Sequence, residues 1–294
     1  MMLCPLPTRA TLQISGADRA RFLQGQLTQD VAGLTPEAVV SGAFLSPQGR
    51  VLALTSLVER DAAIVVVVPA ELAQALLERL RRFVLRSKVA LSLPGEALAV
   101  AAVVPESPGE LDAAFGAARG AAHQRLSADL SLLRLTDRAV LIGPAAALAA
   151  RLAPGVTPAS PAAFELAAIR AGEPSVVGAT TEQWVPQMLN LDLVGAISFT
   201  KGCYTGQEIV ARTQNLGRIK RRMFRYRSAN LTAIPEPGAP LTLEGTKVGE
   251  VVRAAPAQSG VELLAVVNLE ARDQPLQTAA GAGLEPASLP YAVS

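Results

Sequence analysis

Between residues 62 and 84 the sequence changes its period abruptly. Ile64, Val65, Val66, Val67 and Val68 form an unbroken β-branched run, which suits a central strand covered on both faces. Pro69 ends the run, and Leu72, Leu76, Leu80 and Val84 then recur at steps of four, the stripe of an amphipathic helix with a proline at its start. A strand feeding straight into such a helix commits this part of the chain to a layered α/β unit. The residues before it fit the same unit. Residues 11–14 read as a short strand, Gly16-Ala17-Asp18 opens a helix with Ala20, Phe22, Leu23 and Leu27 inward, and residues 39–45 and 51–57 form a hairpin about Ser46-Pro47-Gln48-Gly49. Glu59-Arg60-Asp61 turns the chain into the central strand. Strand, helix, hairpin, strand, helix is a split arrangement of ferredoxin-like character.

A second α/β unit is expected further on, from a strand at 98–104, a short helix at 110–118, a hairpin of 130–135 with 139–142, and a helix at 144–152. Residues 154–161 are proline-rich and read as a linker, and 164–171 as a helix ending at Gly172. Beyond Pro235-Glu236-Pro237-Gly238, short strands at 241–243, 248–253 and 263–268 suggest a small antiparallel barrel. The expected class is therefore α+β, in three parts: residues 1–95, a first ferredoxin-like part; 96–222, a second α/β part; and 223–294, a C-terminal barrel.

Composition narrows the function. A net charge of +2 implies no general polyanion-binding surface. Two cysteines, Cys4 and Cys203, with the single His123, argue against a disulfide framework and leave too few ligands for a self-contained zinc or iron–sulfur site, so no metal is expected. A reducing cytoplasm is the simplest compartment. The first eight residues hold no apolar run of signal-peptide length, and 64–68 is far too short to span a bilayer.

The chemistry concentrates at Lys201-Gly202-Cys203-Tyr204-Thr205-Gly206-Gln207-Glu208. Thr205 and Glu208 have capping-box spacing, so a helix should begin at Thr205 and aim its free N–H groups at Gly202 and Cys203. With Lys201 adjacent, a thiol there would ionise readily. The plainer alternative makes Cys203 a small buried hydrophobe at a tight turn whose glycines relieve strain and whose Glu208 only caps. Trp184 reads equally as a wall of a ligand cleft or as a buried anchor. Arg218, Lys220, Arg221, Arg222, Arg225 and Arg227, interleaved with Met223, Phe224 and Tyr226, form either a solvated strand edge, the favoured reading, or an electropositive rim for RNA or a polyglutamate tail.

The Lys-Gly-Cys-Tyr-Thr-Gly-Gln-Glu motif followed by Val210-Ala211-Arg212 resembles the signature of the YgfZ-type folate-binding proteins, relatives of the glycine cleavage aminomethyltransferase (T-protein). Phe22-Leu23-Gln24-Gly25-Gln26-Leu27-Thr28-Gln29-Asp30-Val31, Ser87-Lys88-Val89, Pro186-Gln187 with Asn190-Leu191, and Leu289-Pro290-Tyr291 carry the resemblance along the chain. It implies a T-protein-like ring about a central cavity for tetrahydrofolate or another reduced folate. It also implies a role supporting iron–sulfur enzymes, including one that thiolates tRNA, with weak tRNA contact, a monomeric state and no membrane attachment. Under it, Cys203 is the reactive thiol with Lys201 beside it. Gln24, Gln26, Gln187 and Asn190 are candidate amides for the pterin, Phe164, Trp184 and Tyr204 candidate walls, and Arg212 or Arg218 partners for the glutamate tail.

Three positions depart from the pattern. The T-protein aspartate pair is matched by Ala53 and Leu54, which cannot relay a proton, so glycine-cleavage chemistry is not expected and a one-carbon transferase is the secondary reading. An RNA-binding adaptor is the third. Arg170 stands where T-proteins carry a pterin-holding carboxylate, leaving Glu165, Glu173 or Glu182 as substitutes, and Arg9 and Phe164 replace tryptophans of some YgfZ-type members.

Overall fold

The structure is a computed structural model describing residues 2–107, 109–118, 120–135, 137–151, 157–158 and 160–293. The chain opens with β1 (Met2–Pro5), β2 (Arg9–Ser15), α1 (Arg19–Gln24), β3 (Val40–Leu45), β4 (Val51–Arg60), β5 (Ala63–Pro69), α2 (Ala70–Val84) and β6 (Ala90–Ser92). A five-stranded sheet of order β3-β4-β5-β2-β6 results, with β5 in the centre. Its unbroken β-branched sequence follows from burial on both sides. Ile64, Val66 and Val68 pack with Phe22, Leu23 and the α2 leucines Leu76, Leu77 and Leu80, while Val65 faces the second sheet.

The turn before β5 lies later than its charged residues suggested. Arg60 is the last residue of β4 and is buried, donating to the Asp129 carbonyl at 2.9 Å. Asp61 and Ala62 form the turn with φ of 51° and 57°, matching the two-residue, right-twisting hairpin geometry.

The second sheet comes from β7 (Ala99–Val104), β8 (His123–Arg125), β9 (Ser131–Arg134), β10 (Ala139–Gly143) and the two-residue β11 (Thr157–Pro158), accompanied by α3 (Glu110–Phe115), α4 (Ala145–Arg151) and α5 (Pro161–Arg170). Its order is β11-β1-β7-β10-β9-β8. The first strand of the chain thus crosses into this sheet, antiparallel to β7. The expected linker at 154–161 lies largely outside the described residues. Ser160 caps α5 by accepting from the Ala163 N–H, and Pro161 suits the first helical position.

After two 3-10 turns, Gly178–Thr180 and Pro186–Leu189, comes α6 (Gln207–Asn215). β12 (Arg221–Ser228), β13 (Pro240–Leu243), β14 (Thr246–Pro256), β15 (Val261–Asn268), β16 (Leu276–Thr278) and β17 (Gly283–Ala287) then close a barrel in the order β12-β15-β14-β13-β16-β17. β12 pairs with β15 along its whole length and with β17 over Arg225–Arg227, so it is a barrel strand and not the solvated strand edge its arginines suggested. Arg222 bonds Asp192 through two parallel 2.9 Å contacts, Arg225 reaches Glu262 at 2.5 Å, Arg227 reaches Glu285 at 3.0 Å, and Arg221 pairs with Glu250. Their partners come from distant strands and loops, invisible to a local reading.

One core joins the parts. Ala43, Leu45 and Val51 of the first sheet, Ile169 of α5, and Met223, Val252, Leu264 and Val266 of the barrel meet around Trp184, Tyr204 and Val210.

Candidate functional site

The two stretches richest in unusual residues, 22–31 and 198–208, dock on each other. Lys201 projects its ammonium into the loop after α1, donating to the carbonyls of Gln24, Leu27 and Gln29 at 2.7, 2.8 and 2.8 Å. All three ammonium protons are thereby used. The Ser198 N–H donates to the Thr28 carbonyl at 2.9 Å, the Thr205 N–H to the Gly25 carbonyl at 3.3 Å, and the Thr28 hydroxyl to the Ala196 carbonyl at 2.7 Å. Gln24 turns inward on its own loop, its side-chain oxygen accepting from the Val31 N–H at 2.7 Å. Burial lowers the Lys201 pKa to about 8, partly offset by Asp30, and its ammonium lies 5.2 Å from the Tyr204 ring centre. Burial also raises the Tyr204 hydroxyl to about 12.

The helix after the motif does not start as its spacing suggested. α6 begins at Gln207 with Gly206 in the capping position and no side-chain cap. Thr205 is one residue too early, and the Glu208 carboxylate pairs forward with Arg212 at 2.8 Å. Gln207 supplies a local bond instead, its side-chain oxygen accepting from the Tyr204 N–H at 3.3 Å. A tertiary contact explains the shift. Gly206 has φ of 81°, and a Cβ there would sit 2.6 Å from the Ser46 carbonyl oxygen. The turn at 46–49 therefore presses against the helix start, leaving room for glycine alone. Cys203 is exposed on this clamped loop, beside an exposed Gly202, whereas Cys4 is buried and its thiol pKa raised by that burial. The reading of Cys203 as a buried hydrophobe is thus set aside.

A cavity of about 690 Å³ opens elsewhere, between the two sheets, α5, the segment at 191–196 and the C-terminal tail. Leu54, Val67, Val100, Val140 and Phe164 give it apolar walls, and Arg9, Arg134, Arg138 and Arg170 line it against only two carboxylates, Asp137 and Glu173. Such a size and mix suit a small organic ligand with an anionic group. Arg138 is buried, bonds Asp137 at 2.6 Å and Glu173, and lies 5.0 Å over the Phe164 ring. Arg170 pairs with Glu262 at 2.7 Å, and that carboxylate raises the Arg170 pKa. Tyr291 closes one side by donating to the Gly172 carbonyl at 2.8 Å.

Of the sequence-based folate contacts, the structure brings Phe164 to this cavity and leaves the others outside its lining. Trp184 is 1% exposed and fills the shared core, its carbonyl accepting from Val51 N–H at 2.8 Å. Gln187 and Asn190 are fully buried struts. Gln187 donates to the Val210 carbonyl at 2.9 Å and Asn190 to the Met223 carbonyl at 2.8 Å. Gln26 is partly buried in the loop after α1, Tyr204 packs in the core, and Arg212 and Arg218 are exposed. Of the possible substitutes for the missing pterin carboxylate, Glu165 is bound by Arg253, Glu173 by Arg138, and Glu182 is exposed. Leu54 lines the cavity, while Ala53 packs in the core beneath α1 and α2. Arg134, Arg138 and the part played by Arg9 had no signal in the local sequence, since the wall forms only when distant strands face each other. Among the described residues no cluster of side chains could hold a metal ion, and no helix is long and apolar enough to cross a membrane.

An antiparallel sheet and a second sheet that enclose a cavity, followed by a closed barrel, define an aminomethyltransferase T-like fold. The crystal structure of the glycine cleavage system aminomethyltransferase T from Bartonella henselae superposes with a TM-score of 0.78 over 98% of this chain and 85% of that one, at 18% identity. No family model matches the sequence. The tRNA-modifying protein YgfZ of Colwellia psychrerythraea is 30% identical over 227 residues, covering 76% of this chain and 70% of its own. That of an Enterobacter species is 30% identical over 280 residues, covering 91% and 85%. The chain belongs to the YgfZ family.

Proposed function

We propose that this protein binds a reduced folate in its central cavity and acts in tRNA modification, as its relatives' name states of them, by supporting iron–sulfur enzymes that include a tRNA-thiolating one. The observation that carries this reading is the pairing of an apolar, arginine-lined cavity of about 690 Å³ with an exposed cysteine on a loop fixed by Lys201. The cavity has the volume for a drug-sized aromatic ligand. Cys203 is the reactive group, exposed to meet a partner thiol or cluster.

A one-carbon transferase is disfavoured because the cavity position matched to the T-protein carboxylate presents the alkyl side chain of Leu54. An RNA adaptor built on β12 is disfavoured because four of its arginines are paired with carboxylates.

The test has two arms. Calorimetry with tetrahydrofolate should show one-site binding. In a strain lacking its own family member, Cys203→Ser should fail to restore iron–sulfur-dependent tRNA thiolation while the wild type restores it. Full rescue by Cys203→Ser would remove the thiol from the mechanism. Steady formation of methylenetetrahydrofolate from a methylamine donor would restore the transferase reading.

A further inference from the structure

Arginines surround the cavity, but they are not equivalent. Arg134 donates to Asp112 at 2.8 Å, Arg138 to Asp137 and Glu173, Arg170 to Glu262, and Arg253, just behind the wall, to Glu165. Arg9 differs. Among the described residues, no carboxylate or carbonyl accepts a hydrogen bond from its guanidinium. Glu173 and Glu165 act on it only through space, each being bonded to another arginine, and Arg253 and Arg138 oppose them.

The backbone gives Arg9 a rigid base. It starts β2, in register with Pro69 of β5, and its N–H donates to the Leu6 carbonyl at 3.0 Å. The side chain reaches the cavity alongside Leu6, Val100 and Phe164. A guanidinium stays charged under all ordinary conditions and carries five donors in a fixed fork. Arg9 is half-buried at the cavity, so its fork is partly desolvated with no protein acceptor and is open to an anion that enters. Burial accordingly pulls its pKa downward.

We infer that Arg9 is the anchor for a carboxylate on the ligand of this cavity, engaging it through two parallel N–H donors. This deepens the folate reading and rests on it for the identity of the ligand. The carboxylate then belongs to the benzoylglutamate half, and the pterin lies toward the far wall. Arg9 is thereby a specificity-determining residue: it selects ligands carrying a carboxylate over a bare pterin.

Calorimetry on the full chain tests this with three probes, tetrahydrofolate, p-aminobenzoylglutamate and 6-methyltetrahydropterin, the last lacking any carboxylate. Arg9→Gln should weaken the first two by about tenfold or more and leave the pterin within about twofold. Arg9→Lys, which keeps the charge but not the fork, should fall between and serves as the second variant if the glutamine form does not fold. An unchanged tetrahydrofolate affinity in either variant, or an equal loss for all three probes, overturns the assignment. Should the wild type bind p-aminobenzoylglutamate in an Arg9-dependent way but neither reduced pterin, the folate reading fails and the carboxylate anchor stands. Binding of none of the three removes both.

Discussion

The signature loop and the cavity wall treat charge in opposite ways. At the loop, a single cation, Lys201, spends all its donors on three backbone carbonyls of another segment, so its charge serves the architecture. At the wall, each of the other arginines bonds a carboxylate, Arg138 two of them, and Arg9 is left over. A family motif is therefore not the same thing as a binding site. Here Lys201 of the motif fixes the relative placement of two segments, whereas the arginine-lined wall is assembled from residues with no local pattern.

The largest expected departure follows from removing the clasp. Lys201→Met strands three carbonyls that it satisfied, and the fold should lose about 3 kcal/mol in a denaturant titration. A variant as stable as the wild type would break the contrast by showing that the loop holds nothing. Gly206→Ala comes next, at about 2 to 3 kcal/mol, because its Cβ meets the rigid Ser46 carbonyl at a left-handed φ. Little change in melting temperature would mean that the 46–49 turn yields, and the clamp on the Cys203 loop would then be loose.

The smallest effect belongs to His123, buried on β8. Its N–H donates to the Glu37 carbonyl at 2.8 Å, and its ring Nδ1 lies 2.5 Å from the Pro36 carbonyl, tying the second sheet to the first. Pro36 offers only an acceptor, so Nδ1 carries the proton, and Nε2 is buried with no partner among the described residues. Desolvation lowers the His123 pKa below its usual 6.5, with Arg125 and Arg60 adding to the effect and the Pro36 carbonyl and Glu37 opposing it. The unfolded chain therefore takes up a proton that the folded chain refuses. Its contribution to stability is complete above about pH 6.5 and declines as the pH falls. Melting curves from pH 7.5 to 5 should show a steeper loss for wild type than for His123→Gln, and parallel curves would separate this tie from the titration.

Much of the fold was legible because the relevant signals are local and periodic. The β5 run, the four-step leucines of α2 and the short strands of the barrel each state a period that only one kind of element satisfies. The site was less legible. Thr205 and Glu208 have the right spacing for a cap, but spacing cannot register the carbonyl of Ser46 that moves the helix start to Gln207. Gln187 and Asn190 carry amides suited to a pterin, yet an amide that holds a buried backbone carbonyl has the same sequence appearance. The arginines of β12 looked like a solvent-facing edge since their carboxylates, Asp192, Glu250, Glu262 and Glu285, come from elsewhere in the chain.

The contact between Tyr291 and Gly172 has a consequence for how the protein is made. The two residues are separated by 119 positions, so at ordinary translation speeds the ribosome supplies the tyrosine about ten seconds after the glycine. Until then one side of the cavity stands without its tyrosine. A nascent chain can therefore assemble both sheets and begin the barrel before the bond that spans this side of the cavity can form.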